Sequence, residues 1–450
     1  MSAESRTIAE LGRAFRAREV TAEAVTEQSL QQIADRNPSI NAFITVLADQ
    51  ALADARAADR DLAGGRDRGP LHGVPISLKD ILDVAGAPTT AASRVRQGHV
   101  AREDAEVVKR LRTAGAVFVG KTNLHEFALG TTNEDSAYGP VRHPLDPNRS
   151  PGGSSGGSAA SVLADMAFAS IGTDTGGSIR IPSAACGLVG LKPEIGEVPT
   201  TGIVPLSRTM DHVGPMCRSV EDAAILHEVL VARAKAPTPR PDARDARGMR
   251  VRVLRGYFSA LLDPQVASSF EASCERLRGA GVVLEDAEIP HASDVAAIYV
   301  HIVLAEAAAY HAKTLESRPE DYTVNVRLRL EMGRYILAED YVRALRGRDL
   351  LRNEVDAALS GCDALLLPAL AVPATRLGAA MVRVGGSDEP VRNITLRLTQ
   401  LFNVTGHPAI SVPCGKTSEG LPIGAQLVGI RTAELLETAL ALEPYLGPGT

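Results

Sequence analysis

The sequence predicts an α/β protein built on one large sheet, and three observations carry that reading. Short apolar runs of β-forming residues (VPISL, AVFVG, MAFASIG, LVGLK) alternate from residue 71 onward with segments of helical spacing, the pattern of strands layered with helices. Two further apolar runs, DALLLP and PAISVP, arrive late, so the last strands join after a long helical stretch. No fixed-period repeat divides the 450 residues, which excludes a solenoid or propeller.

Taken in order, residues 5–63 hold three Ala-rich amphipathic patterns, TIAELGRAF, TAEAVTEQSLQQIADR and DQALADARAADRDLA. Thr21 stands where its hydroxyl caps the second. The run GAVFVGKT (115–122) then matches the phosphate-loop pattern of nucleotide hydrolases. Such a loop must curl its N–H groups around phosphates and must follow a strand. Here Val107, Val108, Leu111 and Ala114 give helical spacing before it, and Ala116 to Val119 are residues that extend. The string therefore reads helix, Gly turn, strand, with Lys121 merely at a strand end. APTPRPDARDARG (236–248) reads as an exposed connection, followed by strand RVRVL, helix PQVASSFEASCERLRGAG and strand VVLEDAEI. Helical patterns fill about 292–360, before the two late strands.

Composition narrows the function. With 45% hydrophobic and 23% charged residues and a net charge of −6, the chain has no basic footprint for nucleic acid or an anionic membrane. Glu4, Arg6, Glu10 and Arg13 interrupt any secretory apolar stretch, and no contiguous apolar run approaches the roughly 20 residues of a membrane helix. The five cysteines (186, 217, 274, 362, 414) are scattered, odd in number and without a C-x-x-C pair. That pattern points to a reducing, cytoplasmic setting and away from zinc. Cys274, at helical spacing from Val266 and Phe270, reads as core.

Two Gly/Ser stretches concentrate the chemistry. SPGGSSGGS contains Gly152-x-Ser154-x-Gly156, but the proline-broken HPLDPNRSP before it is not the strand that a hydrolase nucleophile elbow needs. In GTDTGGSIRIP, tandem glycines let consecutive N–H groups face one point, an oxyanion site if they converge beside a nucleophile. Ser178 would be that nucleophile and needs a base. No histidine is placed for it; Lys79, ending the apolar run of LHGVPISLKD, becomes a base if burial lowers its pKa.

These stretches, with GKTNLHEFALGTTNEDSAYGPVRHPLDP, AACGLVGLKP, DHVGPMCRSVEDAA and GLPIGAQLVG, resemble the amidase signature family, closely over about 70–222 and more loosely over the whole chain. The resemblance implies the family fold: α/β, a large mixed sheet with helices on both faces. It implies one domain, 1–450, with the motif core at about 65–225, a helical, substrate-shaping insert at about 236–360, and final strands at about 361–432. It further implies a Ser–Ser–Lys triad, with Ser178 as nucleophile, Ser154 as a bridging serine after a cis peptide at Gly153, and Lys79 as base. Thr175, Gly176 and Gly177 match the oxyanion hole. Ser155, Asp174 and Arg180 read as supports, Gly130, Thr131 and Thr132 as the loop beside the pocket, and Arg352 as a candidate for a substrate carboxylate. No cofactor or metal is implied.

The chain departs from the family after LKP, where Glu194 and Glu197 replace a usual Thr and a later basic residue; this bears on packing or partner contacts. The expected activity is hydrolysis of a small carboxamide to acid and ammonia, with no direct nucleic-acid or membrane partner and a homodimer left open. The alternative is the amidase-type component of a glutamyl-tRNA(Gln) or aspartyl-tRNA(Asn) amidotransferase, a glutaminase working in a complex. The looser match at 290–360 favours the stand-alone enzyme.

Overall fold

The computed structural model describes residues 7–231 and 245–447. Helices α1 (Ile8–Arg16), α2 (Ala22–Ile40) and α3 (Ala48–Ala63) open the chain, with strand β1 (Phe43–Val46) between the last two. Next come β2 (Pro75–Lys79), α4 (Glu106–Thr113), β3 (Val117–Thr122), α5 (Gly156–Leu163), β4 (Ala169–Asp174), α6 (Arg180–Cys186), β5 (Val189–Lys192), β6 (His212–Cys217) and α7 (Val220–Val231). The second half begins with β7 (Arg250–Leu254), α8 (Pro264–Gly279) and β8 (Val283–Ala287). Three long helices follow, α9 (Val295–Ser317), α10 (Val324–Gly333) and α11 (Ala338–Leu359), then β9 (Ala364–Pro368) and the ribbon β10 (Met381–Val384) with β11 (Ser387–Pro390). The chain closes with α12 (Val391–Leu396), α13 (Gln400–Val404), β12 (Ala409–Lys416), β13 (Pro422–Val428) and α14 (Thr432–Leu446).

Eleven strands form one mixed sheet in the order β1-β3-β2-β4-β6-β5-β12-β13-β9-β7-β8. Neighbouring side chains along a strand point to opposite faces. Every residue of β2, β3, β4, β5, β6, β9 and β13 is buried, so both faces of the central sheet are covered, as the parallel β2–β3 and β2–β4 pairs require. The late strands do not extend an edge. β12 pairs with β5 and β13 with β9, so they fill the middle.

Local signals act where the sequence places them. Thr21 accepts from Ala24 N at 3.1 Å as the cap of α2, and Val107, Val108 and Leu111 form the buried face of α4. Residues 236–244 of the expected exposed connection lie outside the described residues. Two expectations change. Lys121 is fully buried, ion-paired to Asp80 at 2.9 Å and bonded to Pro88 O at 3.0 Å; a charge that costs this much to bury is kept by its partner. Helix 292–317 is also long and apolar enough to cross a membrane by length and composition. Counting contiguous apolar residues missed it because polar residues such as His301 and Glu306 interrupt the run. Its Val295, Tyr299, Ile302, Val303 and Leu304 are buried within the protein.

Candidate active site

β2 and β4 are parallel and hydrogen-bonded, Leu78 opposite Ile171, so their C-terminal ends open on the same edge of the sheet. Lys79 ends β2, and Thr173 and Asp174 end β4. That register brings Lys79 Nζ within 2.9 Å of Thr173 Oγ1, to which it donates. Its second acceptor, Ser154 Oγ at 2.8 Å, lies in the Gly/Ser loop leading into α5. The Gly153–Ser154 peptide is cis. Small residues let this loop and helix nestle: a Cβ on Gly157 would stand 2.3 Å from Asn123 O and 2.6 Å from Ala42 O.

Lys79 is fully buried. Burial disfavours its charged form and lowers its pKa to about 7, although the charges of Asp174 and Asp211 pull the other way. An ordinary lysine is protonated at neutral pH; this one is divided between amine and ammonium. The distances from Nζ to two hydroxyls suit either form, since a hydroxyl both donates and accepts.

Ser178 follows β4 at a tight turn and is 6% exposed. Gly177 has φ +138°, a backbone region that glycine occupies readily. Neither tandem glycine has room for a side chain. A Cβ on Gly176 would meet Tyr299 Oη at 2.5 Å, and one on Gly177 would meet Thr399 Oγ1 at 2.2 Å. The loop is tied on three sides. Thr399 Oγ1 donates to Gly176 O at 2.6 Å, Thr175 Oγ1 to Asp211 Oδ1 at 2.6 Å, and Ser155 N to Ser178 O at 3.3 Å. Ser155 Oγ donates to Thr173 O at 3.2 Å. No hydrogen bond joins the Ser154 and Ser178 hydroxyls among the described residues.

Asp174 and Arg180 bracket the turn from within. Asp174 accepts from Ile179 N, Arg180 N and Arg180 Nε through Oδ2, at 3.1, 3.3 and 3.1 Å. Arg180 Nη2 reaches Asp174 Oδ1 at 3.0 Å. Its remaining donors go to Thr399 O at 3.0 Å, Gln426 Oε1 at 2.6 Å and Asn403 Oδ1 at 2.6 Å, so all five guanidinium N–H groups are used. Burial opposes the Asp174 charge, but the adjacent guanidinium holds its carboxyl well below the usual range.

The loop 130–132 lies against the serine loops. A Cβ on Gly153 would stand 3.0 Å from Thr131 C and 3.0 Å from Thr132 N, and one on Gly130 would overlap the His125 ring. Thr395 Oγ1 donates to Thr131 Oγ1 at 3.0 Å. Arg352 is not brought here. It is exposed on α11, and a Cβ on Gly406 would lie 3.8 Å from its Nη2. Glu194 and Glu197 serve packing: Thr432 Oγ1 accepts from Glu194 N at 2.9 Å and donates to Glu197 Oε2 at 2.5 Å. Glu197 also faces the buried His227 at 3.3 Å.

No sequence signal singled out Thr173, Asp211, Tyr299, Thr399, Asn403 or Gln426. Asp211 was within reach, since it opens DHVGPMC, one of the stretches that carry the family resemblance. Others are far away in the chain, up to 246 positions from the residues they hold. Two cavities flank the turn. One of about 290 Å³ is lined by Ala128, Thr173, Thr201 and Asp211, and another of about 390 Å³ by Tyr299, Arg392 and Leu396.

The amidase family profile matches residues 24–436. The chain is 38% identical over 474 residues to the "A" component of the glutamyl-tRNA(Gln) amidotransferase of Koribacter versatilis (strain Ellin345), covering 95% of this chain and 97% of that protein. It is 41% identical over 427 residues to an amidase of Pseudomonas putida, covering 92% and 90%. A crystal structure of an amidase superposes with a TM-score of 0.91 at 36% identity, over 98% of this chain and 99% of that one. The native peptide amidase from Stenotrophomonas maltophilia gives 0.83 at 31%, over 99% and 97%. Relatives of both kinds match nearly the full length, C-terminal half included, so coverage does not separate the two activities. The buried lysine between two serine-rich turns is thus set in a fold and a sequence shared from end to end, and the chain belongs to the amidase signature family, as an amidohydrolase.

Proposed function

We propose that the protein hydrolyses a small carboxamide to carboxylic acid and ammonia through an acyl-enzyme on Ser178. Neutral Lys79 accepts a proton from Ser154 while Ser154 takes one from Ser178. The Ser178 oxygen attacks the amide carbonyl, and the backbone N–H groups of Thr175, Gly176 and Gly177, with that of Ser178, hold the oxyanion. The proton returns through Ser154 to the leaving nitrogen, and water releases the acyl group. Asp174 and Arg180 act by fixing the turn, Ser155 by anchoring it to β4, and Gly130, Thr131 and Thr132 by walling the pocket. The observation that carries this reading is the fully buried Lys79, 2.8 Å from Ser154 Oγ and with its pKa lowered to about 7. Five free cysteines, four of them buried, support a cytoplasmic setting.

A second reading is favoured by the glutamyl-tRNA(Gln) amidotransferase relatives at 38–40% identity: a glutaminase that works only with partner chains. Ammonia release by the purified chain, over aliphatic, aromatic and amino-acid amides including glutamine, separates the two. Release from simple amides, abolished in Ser178→Ala with the fold retained, is the expected result. Full activity in Ser178→Ala would end the nucleophile assignment, and silence on every amide would favour the complex.

A further inference from the structure

Helix α10 is apolar on two opposite sides. Val326, Leu330 and Gly333 are buried, and a Cβ on Gly333 would stand 2.2 Å from Leu304 O, so this side lies flush against α9. Val324, Leu328 and Met332 recur every four residues on the other side and form one ridge along the helix surface. Tyr335 prolongs the ridge, its N–H donating to Met332 O at 3.1 Å, and Leu337 follows just before α11. All five are between 48 and 85% exposed. A helix with apolar residues on both sides ordinarily has neighbours on both.

Area and charge indicate what covers it. The five side chains leave roughly 600 Å² of mostly apolar surface bare, the top of the range for one patch on a monomer. With its polar rim the face approaches the roughly 800 Å² per partner of a stable interface. The charged residues of α10 and its C-cap are already matched within the chain. Arg327 pairs with Glu331 at 3.7 Å and Arg334 with Glu316 at 3.2 Å, while Arg329 donates to Leu129 O at 2.8 Å. Such a rim offers no net charge to an anionic membrane or to a strongly charged partner. It suits a surface that is equally neutral and equally ridged, and a second copy of the chain supplies one. A ridge of four-residue spacing packs into the grooves of an identical ridge at a crossing angle of about −50°, and the commonest homo-oligomer sets one patch against itself about a two-fold axis.

We propose that two copies of this chain pair through α10, ridge against ridge, with the two-fold axis beside Leu328. Val324 of one protomer then faces Met332 of its partner, and Leu328 faces its own copy. The pairing reaches toward the site through the loop beside it. Thr323 N and Oγ1 donate to Glu126 Oε2 at 2.8 and 2.5 Å, and Asn325 Nδ2 donates to Asp135 Oδ1 at 3.1 Å. With the Arg329 bond to Leu129 O, these hold α10 to the segment that runs into Gly130, Thr131 and Thr132. A partner seated on α10 therefore buttresses that segment from outside. The pairing does not depend on the hydrolase reading.

The test is sedimentation velocity of the full chain, from sub-micromolar to high-micromolar concentration, for the native protein and Leu328→Glu. The native chain is expected to sediment as a dimer that dissociates on dilution. Leu328→Glu should raise the dimer Kd at least about 100-fold, because each new carboxylate meets its copy across the axis. Both residues are good helix formers, so the fold should survive, as circular dichroism would verify. Oxidised Leu328→Cys should yield a disulfide-linked dimer on a non-reducing gel. The native chain with its own five cysteines should not, nor should Val283→Cys, 46% exposed on the edge strand β8. A native monomer at every concentration overturns the proposal. So does a dimer that Leu328→Glu leaves intact, which would put the contact on another surface, and absence of the Leu328→Cys link would refute the placement of the axis. A monomer that floats with vesicles of phosphatidylcholine and phosphatidylglycerol, and no longer does so as Leu328→Glu, would assign the ridge to a membrane and equally overturn the pairing.

Discussion

Lys79 shows how one residue links stability to chemistry. Its unfolded pKa lies near 10.5 and its folded pKa near 7. Between those values the unfolded chain binds more protons, so stability rises with pH across that window. Below about pH 7 the whole penalty applies, on the order of 5 kcal/mol for a lowering of this size. Lys79→Met should therefore raise Tm at pH 6 and raise it far less at pH 10, measured by calorimetry, while removing turnover. A larger gain at the alkaline end would refute the burial argument. In the proposed mechanism the same titration governs rate: with the Lys79 amine as base, kcat/KM should climb as pH rises through about 7 and then level off. Arg180 makes the opposite case. Arg180→Met leaves Asp174 charged and buried, at a cost of about 3–5 kcal/mol, to be read as a fall in the denaturation midpoint. A loss of less than about 1 kcal/mol, the size of an exposed pair, would mean that Asp174 finds another partner.

At the scale of the element, α5 sets two effects against each other. Replacing a helical glycine by alanine ordinarily gains up to about 1 kcal/mol of helix propensity, and Gly157 stands in the first turn of α5. Gly157 packs its bare Cα against the carbonyls of Asn123 and Ala42, where a Cβ would stand at 2.3 and 2.6 Å. Overpacking of that kind costs about 1–3 kcal/mol. Gly157→Ala should thus lower Tm and slow turnover by displacing Ser154; an increase in Tm would show that propensity wins. The elements the sequence revealed are those with a strong local pattern. β2, β3 and β9 are apolar runs, α4 has a clean face, and α2 has its Thr21 cap. β1 and β6 escaped: FITV is only four residues beside a helix, and HVGPMC carries Gly and Pro where β-formers are expected. β6 nevertheless pairs with β4 along its length, with Pro215 opposite Ile171. The site was legible to the same degree, since motifs name Lys79, Ser154 and Ser178 but not Thr399 or Tyr299, which only the fold brings near.

For the whole molecule, the decisive fact is strand order. β12 and β13, from near the end of the chain, separate β5 from β9, so removing residues 409–450 would open the sheet at its centre and bare two strand edges. Such a truncation should yield aggregated, inactive protein rather than a smaller enzyme; a soluble, active fragment on size exclusion would contradict this. No pattern in the sequence announces the insertion, because strand pairing across hundreds of residues leaves no local trace. The Arg180 anchor depends on the same late arrivals, for it ends on Asn403 and Gln426. That dependence has a meaning for synthesis. Chains emerge from the ribosome N-terminus first, so Lys79, Ser154 and Ser178 are all translated long before the residues that hold their loops. A nascent chain stalled ahead of Gln426 should leave Ser178 unreactive toward an active-site fluorophosphonate, and labelling should begin only once the final strands have cleared the exit tunnel. If labelling follows that order, translation itself sets the moment at which the serine turn becomes reactive.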